Sequence, residues 1–389
     1  MCPNFHTIPM IEMGASIVSI CDMKEHAFRP DRLYCEHKAH INSTLQGLPR
    51  RWRPDFFLDL QAEHGHHFPI GLGDLPIPTI VTFNHAHLGQ ALIHMRGMFD
   101  CMVAPSEFMR HFGDAVLPWS CSWGRQAGRI RSIIDWEENV KKDVDISCTL
   151  GVGRLGKQSV RSAVIKAIER YKAEHPEKSV EIKTEMPHAE YLKLLRRSKV
   201  SINVGTWGAQ MTYRPLEIIE CGAVLVHVDE TGYSSRATLA EYLRPGEHYI
   251  QATPETMNVS IEAALAAAYQ MPAKAFDFIE SEYSYHHQYE RLFGLAMTVR
   301  RGKRFSTREW SRHAFAVHHL TGFNELAKVH EDSLIPEDLL SWKMLKPGKF
   351  DLSLWRPEDP EDEAVWRTDL ARGEDPTAVY ARHWSLARR

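Results

Sequence analysis

The residues best spaced to do chemistry lie in the stretch Met211 to His227, MTYRPLEIIECGAVLVH. Pro215 suits the first position of a helix, where its missing N–H would be unpaired anyway. Gly222 suits the left-handed position that ends one. Ala223 to Val226 then reads as a buried strand, apolar without alternation, as in a parallel sheet. On this reading Arg214 stands just before the helix and Glu217 lies in its first turn. A helix N-terminus gathers unpaired N–H groups and partial positive charge. An arginine beside it makes a phosphate site. A carboxylate there would repel the phosphate, yet it can accept hydrogen bonds from a neighbouring ribose diol. The same residues have an ordinary structural reading: a first-turn Glu compensates the dipole, and an Arg before a helix is often a solvated charge.

Three further groups have suggestive types. Gly151-x-Gly-x-x-Gly156 falls after an expected strand and before an expected helix, the right context for a phosphate loop. As a Walker loop it fails, because Gln158 follows Lys157 where Ser or Thr is required. As a dinucleotide fingerprint it lacks an acidic residue at the end of the next strand, since Glu169 and Glu174 fall on the helix. As a diphosphate turn it offers backbone N–H groups with Arg154, Lys157 or Arg161 as counter-charge. The alternative is a tight turn with exposed bases. Asn84-His85-Ala86-His87 follows a strand ending at Phe83, and carboxyl ends of parallel strands are where open α/β sheets place their sites. His85 there is a candidate general base for an acceptor hydroxyl, or an inert histidine at a helix start. His64, His66 and His67 crowd one loop, but no Cys or carboxylate completes a zinc spacing, so no metal site is expected.

Behind these groups stands an ordinary globular composition. The chain has 389 residues, 43% hydrophobic and 25% charged, with a formal net charge of −3, which is room for two domains. Nothing in that balance resembles the basic footprint of a dedicated nucleic-acid binder. Seven cysteines occur without any CxxC pair, which points to reduced thiols and a cytoplasmic setting. No apolar run is long enough to span a membrane.

The elements that must position the candidates alternate between strand and helix. Strands are expected at Gly14–Asp22, Arg53–Leu60, Pro76–Phe83, Phe99–Pro105 and Ala115–Trp119, with a helix over Leu88–Met98. After a polar linker from Gly124 to Lys142, strands are expected at Asp145–Leu150, Val180–Lys183, Val200–Val204 and Ala223–Val226. Helices are expected over Ser159–His175, Ile261–Met271, Ala273–Arg300 and Thr307–Glu331. Alternation of this kind means parallel sheets with right-handed crossovers.

The pattern R-P-L-E-I-I-E-C-G-A-V-L-V resembles the donor-site segment of GT-B glycosyltransferases. It is most similar to the spore-maturation, CgeB-like group, whose motif runs roughly R-x-x-E-x-x-x-C-G before an apolar strand. Upstream, Tyr191 to Val204 resembles that family's helix and strand before the donor loop. Downstream, Tyr242 to Tyr249 resembles its f-x-x-G-x-e-y turn, and Tyr285 to Arg291 its late helix. The resemblance is specific from about residue 145 to 295 and loose before that.

It implies an α/β fold of two Rossmann-like domains, at 1–125 on the acceptor side and 143–285 on the donor side. The first of these would lack its opening strand, and a crossing helix and helical tail would fill 286–389. The site would lie in the cleft between the domains. The implied activity is transfer of a hexosyl group from a nucleotide diphosphate sugar, a co-substrate rather than a cofactor, to an acceptor hydroxyl of unknown class. Glu217 would hold the ribose, and Arg214, Arg154, Lys157 and Arg161 the diphosphate. Thr212 and Tyr213 close the loop expected to meet the transferred sugar, and His85 would serve the acceptor. Where the family's two-glutamate variant has its first Glu, this chain has Ala209. No Asp-x-Asp stands near a strand end, so the departing diphosphate is expected to be stabilised without metal. Two other classes remain: a catalytically silent protein that binds a nucleotide sugar or a partner, and a nicotinamide-dependent oxidoreductase built on the glycine turn.

Overall fold

The computed structural model describes residues 19–21, 32–34, 54–59, 71–83, 98–105, 113–117, 140–150, 160–184, 186–205, 211–229 and 238–302, with isolated positions at 41, 45, 46, 95, 134, 311, 313–315 and 317. The chain divides into two compact units, one formed by Met1–Pro9 with Pro118–Glu290, the other by Met10–Leu117 with Arg291–Arg389.

The second of these units carries two parallel sheets. One pairs β1 (Ser19–Cys21) with β2 (Arg32–Tyr34), and the other runs β3 (Phe57–Asp59), β4 (Thr79–Thr82), β5 (Cys101–Ala104), β6 (Ala115–Val116) in chain order. All four residues of β4 and of β5 are buried, as expected of strands covered on both faces. Gly113 fits close against β5, where a Cβ would stand 2.9 Å from that of Ala104. Asp100 ties this unit together. Its carboxylate accepts from the Thr79 N–H at 2.8 Å and the Gly302 N–H at 2.7 Å, while Arg301 donates to the carbonyls of Ile77 and Gly73.

The first unit is a doubly wound sheet of five parallel strands: β7 (Val144–Cys148), β8 (Val180–Ile182), β9 (Ser198–Val204), β10 (Val224–Val228) and β11 (Ile250–Ala252). Their spatial order is β11-β10-β9-β7-β8. The chain therefore starts in the middle, goes outward to β8, and returns past β7 to β9. Its α-helices among the described residues are α1 (Val160–Glu174), α2 (His188–Arg197), α3 (Tyr213–Glu220), α4 (Met257–Ala266) and α5 (Met271–Tyr283), followed by α6 (Tyr285–Thr298), of which residues 291–298 belong to the second unit.

Side chains alternate across the sheet with the strand period of two. Val224, Val226 and Val228 of β10 pack with Val164 and Ile168 of α1 and Ile261 of α4. Ala223, just before β10, and Leu225 within it pack with Leu192 and Leu195 of α2, Leu216 and Ile219 of α3 and Ile279 of α5. Two apolar layers thus cover the two faces, and each such side chain removed from water contributes about 1.5–3 kcal/mol. The Tyr171 hydroxyl adds a polar tie on one face by donating to Glu262.

Several expectations are corrected by this architecture. Helix α3 begins at Tyr213, so Pro215 holds its third position and Arg214 lies within it. All of the first four N–H groups of a helix lack partners, so proline is as harmless at the third position as at the first. Glu217 accordingly falls in the second turn, not the first. The single helix expected over Ala273–Arg300 is broken at Ser284, which has φ −59° and ψ 154°. The helix expected at Ile261–Met271 runs instead over Met257–Ala266, and β2 and β11 were not anticipated. The Leu88–Met98 helix, most of the linker and most of the Thr307–Glu331 helix lie outside the described residues.

Candidate functional site

In an open parallel sheet the ligand crevice lies beyond the carboxyl ends of the strands where the winding direction reverses. Here that place is between β7 and β9, the central neighbours that lead to opposite edges. Thr149 follows the last residue of β7, and Arg214 of α3 reaches it: the guanidinium Nη1 donates to the Thr149 carbonyl at 3.4 Å. The amino end of α3 therefore stands at the switch point. Its N-cap residue, Thr212, is extended and makes no side-chain capping bond to the helix.

A second pair of residues comes from α2. Arg214 and Glu217 are three apart on α3, and His188 and Tyr191 are three apart on α2, so each pair shares a helix face. The faces meet. His188 Nε2 lies 2.9 Å from Glu217 Oε1, and the Arg214 guanidinium sits over the Tyr191 ring, 5.6 Å from its centroid. His188 and Tyr191 are stacked, with centroids 5.9 Å apart and rings 19° from parallel. Glu217 is 7% exposed, which is deep for a carboxylate. Burial pushes the Tyr191 hydroxyl well above its usual range and the Glu217 charge adds to that push. Arg214 acts the other way, although no hydrogen bond of good geometry joins it to the hydroxyl.

Further along the same edge, His227 is fully buried at the end of β10. Its Nδ1 meets the Asn203 amide at 3.1 Å, and its Nε2 lies 3.3 Å from Asp229. Asp229 also accepts from the Leu239 N–H at 3.1 Å and the Gln251 amide at 2.9 Å. This network satisfies polar groups that burial would otherwise leave costly, and it pins the ends of β9, β10 and β11.

The expected site residues are distributed as follows. Arg214, Glu217, Thr212 and Tyr213 gather at the switch point. Arg161 occupies the second position of α1, the helix that follows β7, and is half-buried. Arg154, Lys157 and His85 lie outside the described residues. His188, Thr149 and Tyr191 are the members that the spacing of motifs did not single out. Their sequence distances from Glu217 and Arg214 carry no periodic signal. Only the preceding Pro187 marks His188 as a helix start.

Among the described residues no group of three His, Cys, Asp or Glu could hold a metal ion. Contrary to the expectation of no Asp-x-Asp near a strand end, Asp143-Val144-Asp145 is one; it opens β7 at the amino edge of the sheet, away from Arg214, and its carboxylates pair with Arg197 at 2.8 Å and Lys199 at 2.7 Å. That edge also has a cavity of about 550 Å³, lined by Lys142, Lys199, Gly222, Tyr269, Pro272 and Phe276. It lies at the end of the strands away from Arg214. No described helix is long and apolar enough to cross a membrane.

The unit is a parallel α/β domain with Arg214, Glu217 and His188 gathered at its switch point. Residues 151–294, which hold Arg214, Glu217, His188 and Tyr191 but not Thr149, match the family model described as Glycosyl transferase-like, and the match supports sugar transfer in general. Among curated proteins no sequence relative matches. Among solved structures the chain is similar to TarM, at 10% identity over 57% of this chain and 50% of that one, with a TM-score of 0.42. It thus spans half the length of that protein. It is also similar to AviGT4, a glycosyltransferase involved in avilamycin A biosynthesis, at 13% identity over 76% and 87% of the two chains, with a TM-score of 0.47. A third is an α-glucosyltransferase in complex with UDP and a 13-mer DNA containing a HMU base, at 11% identity over 74% and 93%, with a TM-score of 0.43.

Proposed function

We propose that the five-stranded unit is the donor domain of a GT-B glycosyltransferase of the CgeB-like kind. In this reading the chain moves a hexosyl group from a nucleotide diphosphate sugar to an acceptor hydroxyl. The observation that supports it best is the placement of Arg214. A cation at the mouth of an uncapped helix, reaching the carboxyl end of β7, is where a diphosphate would meet both guanidinium and backbone N–H groups. Glu217, one turn deeper and held by His188, is suited to accept hydrogen bonds from a ribose diol. Thr212 and Tyr213, at the start of α3, are assigned to the transferred sugar, and Arg161, Arg154 and Lys157 are assigned to the diphosphate.

The reaction breaks the bond between the sugar's anomeric carbon and the diphosphate oxygen, and the electron pair leaves with the diphosphate. The acceptor oxygen forms the new bond and gives up its proton, for which His85 is the proposed base. Fixed positive charge at the departing group lowers the barrier because it needs no reorganisation as charge develops. Arginine and N–H groups supply that charge in this scheme, without a metal. The test is a turnover assay on the intact chain with UDP-, GDP- and ADP-sugars, with and without chelator. Release of nucleoside diphosphate that survives chelator and is lost in Arg214→Ala supports the reading. Binding without turnover would mark a silent binding protein, and binding of NAD(P) alone would mark the oxidoreductase.

A further inference from the structure

We propose that His188 is a positioning residue for Glu217, so that α2 as well as α3 determines how the chain grips the ribose of its donor. The inference rests on the donor-site reading above. A carboxylate oxygen can only accept, so the 2.9 Å contact requires Nε2 to carry the hydrogen. One such bond fixes the side-chain torsions of Glu217, and a hydrogen bond to a charged group is among the stronger ones. The imidazole is itself held by stacking on Tyr191, whose ring is 6% exposed and packed among Leu192, Leu195 and Leu216. The chain of support therefore runs from the apolar layer, through Tyr191, to His188 and on to the carboxylate. His188 is also the first residue of α2, whose N-cap, Pro187, has no side chain to cap it. That brings the amino end of a second helix, with its partial positive charge, beside the Glu217 carboxyl group.

His188 is 37% exposed and sits at a helix start, so its replacement should be tolerated by the fold. A merely structural histidine would, on removal, weaken every ligand alike. A residue that acts through Glu217 should weaken only ligands that carry the ribose hydroxyls. The measurement is calorimetric titration of the intact chain with UDP, GDP, ADP and their 2′- and 3′-deoxy forms, and with inorganic pyrophosphate, on wild type, His188→Ala and His188→Gln. In wild type, the deoxy forms of whichever nucleotide binds should bind roughly tenfold or more weakly than the parent. In His188→Ala that discrimination should collapse to within twofold, while affinity for pyrophosphate stays within twofold of wild type. His188→Gln, which restores an amide donor, should recover most of it. Equal discrimination in wild type and His188→Ala would overturn the inference while leaving the donor site standing. Equal loss for pyrophosphate would also overturn it, in favour of a structural role. Absence of any nucleoside diphosphate binding in wild type would remove the donor-site reading and this inference with it. Should His188→Ala not fold, His188→Gln and His188→Asn carry the same comparison, because they differ in reach rather than in polarity.

Discussion

Arg214 and Thr149 are joined across the switch point of the five-stranded sheet, guanidinium to carbonyl at 3.4 Å. The contact is long for a hydrogen bond between a charged donor and a carbonyl, so a phosphate oxygen can compete for it at little cost. Replacing Arg214 by Ala should reduce turnover by about 10²-fold or more, the usual effect of removing one group aimed at developing charge. Replacement by Lys should recover only part, because a point charge cannot bind bidentately. Steady-state kinetics on the two variants checks this.

Glu217 is buried against His188, so Glu217→Ala should destabilise the fold modestly as well as abolish transfer. The histidine left behind is 37% exposed and can turn to water, so losing this bond costs about 0.5–1.5 kcal/mol. Glu217→Gln keeps an acceptor beside Nε2 and should melt close to wild type while still losing donor affinity. Thermal melts paired with donor titration separate the two effects.

Gly222 ends α3 with φ +74°, and its N–H donates to the Ile219 carbonyl at 2.9 Å. An added Cβ would meet only the Lys142 ammonium, at an ordinary 3.7 Å. The cost of Gly222→Ala is therefore that of the backbone conformation, about 1–2 kcal/mol, with no steric addition. Denaturant melts at two or more protein concentrations would read it.

Ser284 separates α5 from α6. Its hydroxyl meets His287 Nδ1 at 2.7 Å and accepts from the His287 N–H at 3.4 Å. This is an N-cap, so Ser284→Ala should cost about 1 kcal/mol. Circular dichroism melts should show the loss, and Ser284→Asp should restore it.

His248 is 3% exposed and stacked on Phe278, with centroids 4.1 Å apart. Burial lowers its pKa from the ordinary 6.5, Arg244 adds to that, and Glu247 opposes it. Its Nδ1 accepts from the Arg244 N–H at 3.2 Å, a bond only the neutral ring can make in that sense. A histidine with a lowered folded-state pKa contributes stability that is present above the unfolded value and is lost as pH falls through the folded one. The melting temperature should therefore drop between pH 7.5 and 5.5, and the drop should shrink in His248→Gln.

The five-stranded unit is legible in the sequence to the extent that its signals are local. Glycine at the left-handed end of α3, the apolar run of β10 and the heptad-like face of α1 each depend on neighbours within a turn or two. The helix start was misplaced because proline's preference for the first position is a preference among several unpaired sites. The break at Ser284 has no local signal, because the flanking residues, Tyr283 and Tyr285, are compatible with a continuous helix, and only the serine's bonds to His287 reveal the cap. His188 could not be found at all from spacing. It becomes relevant to Glu217 through the packing of α2 against α3, across 29 residues of chain, and no local rule encodes that distance.

The proposed donor site requires Arg214 and Glu217 to grip a nucleoside diphosphate together. Calorimetric titration of wild type, Arg214→Ala and Glu217→Ala with UDP, GDP and ADP tests it most directly. One of these should bind wild type and bind both variants at least roughly tenfold more weakly. Unchanged affinity in both variants, with the proteins folded, would contradict it.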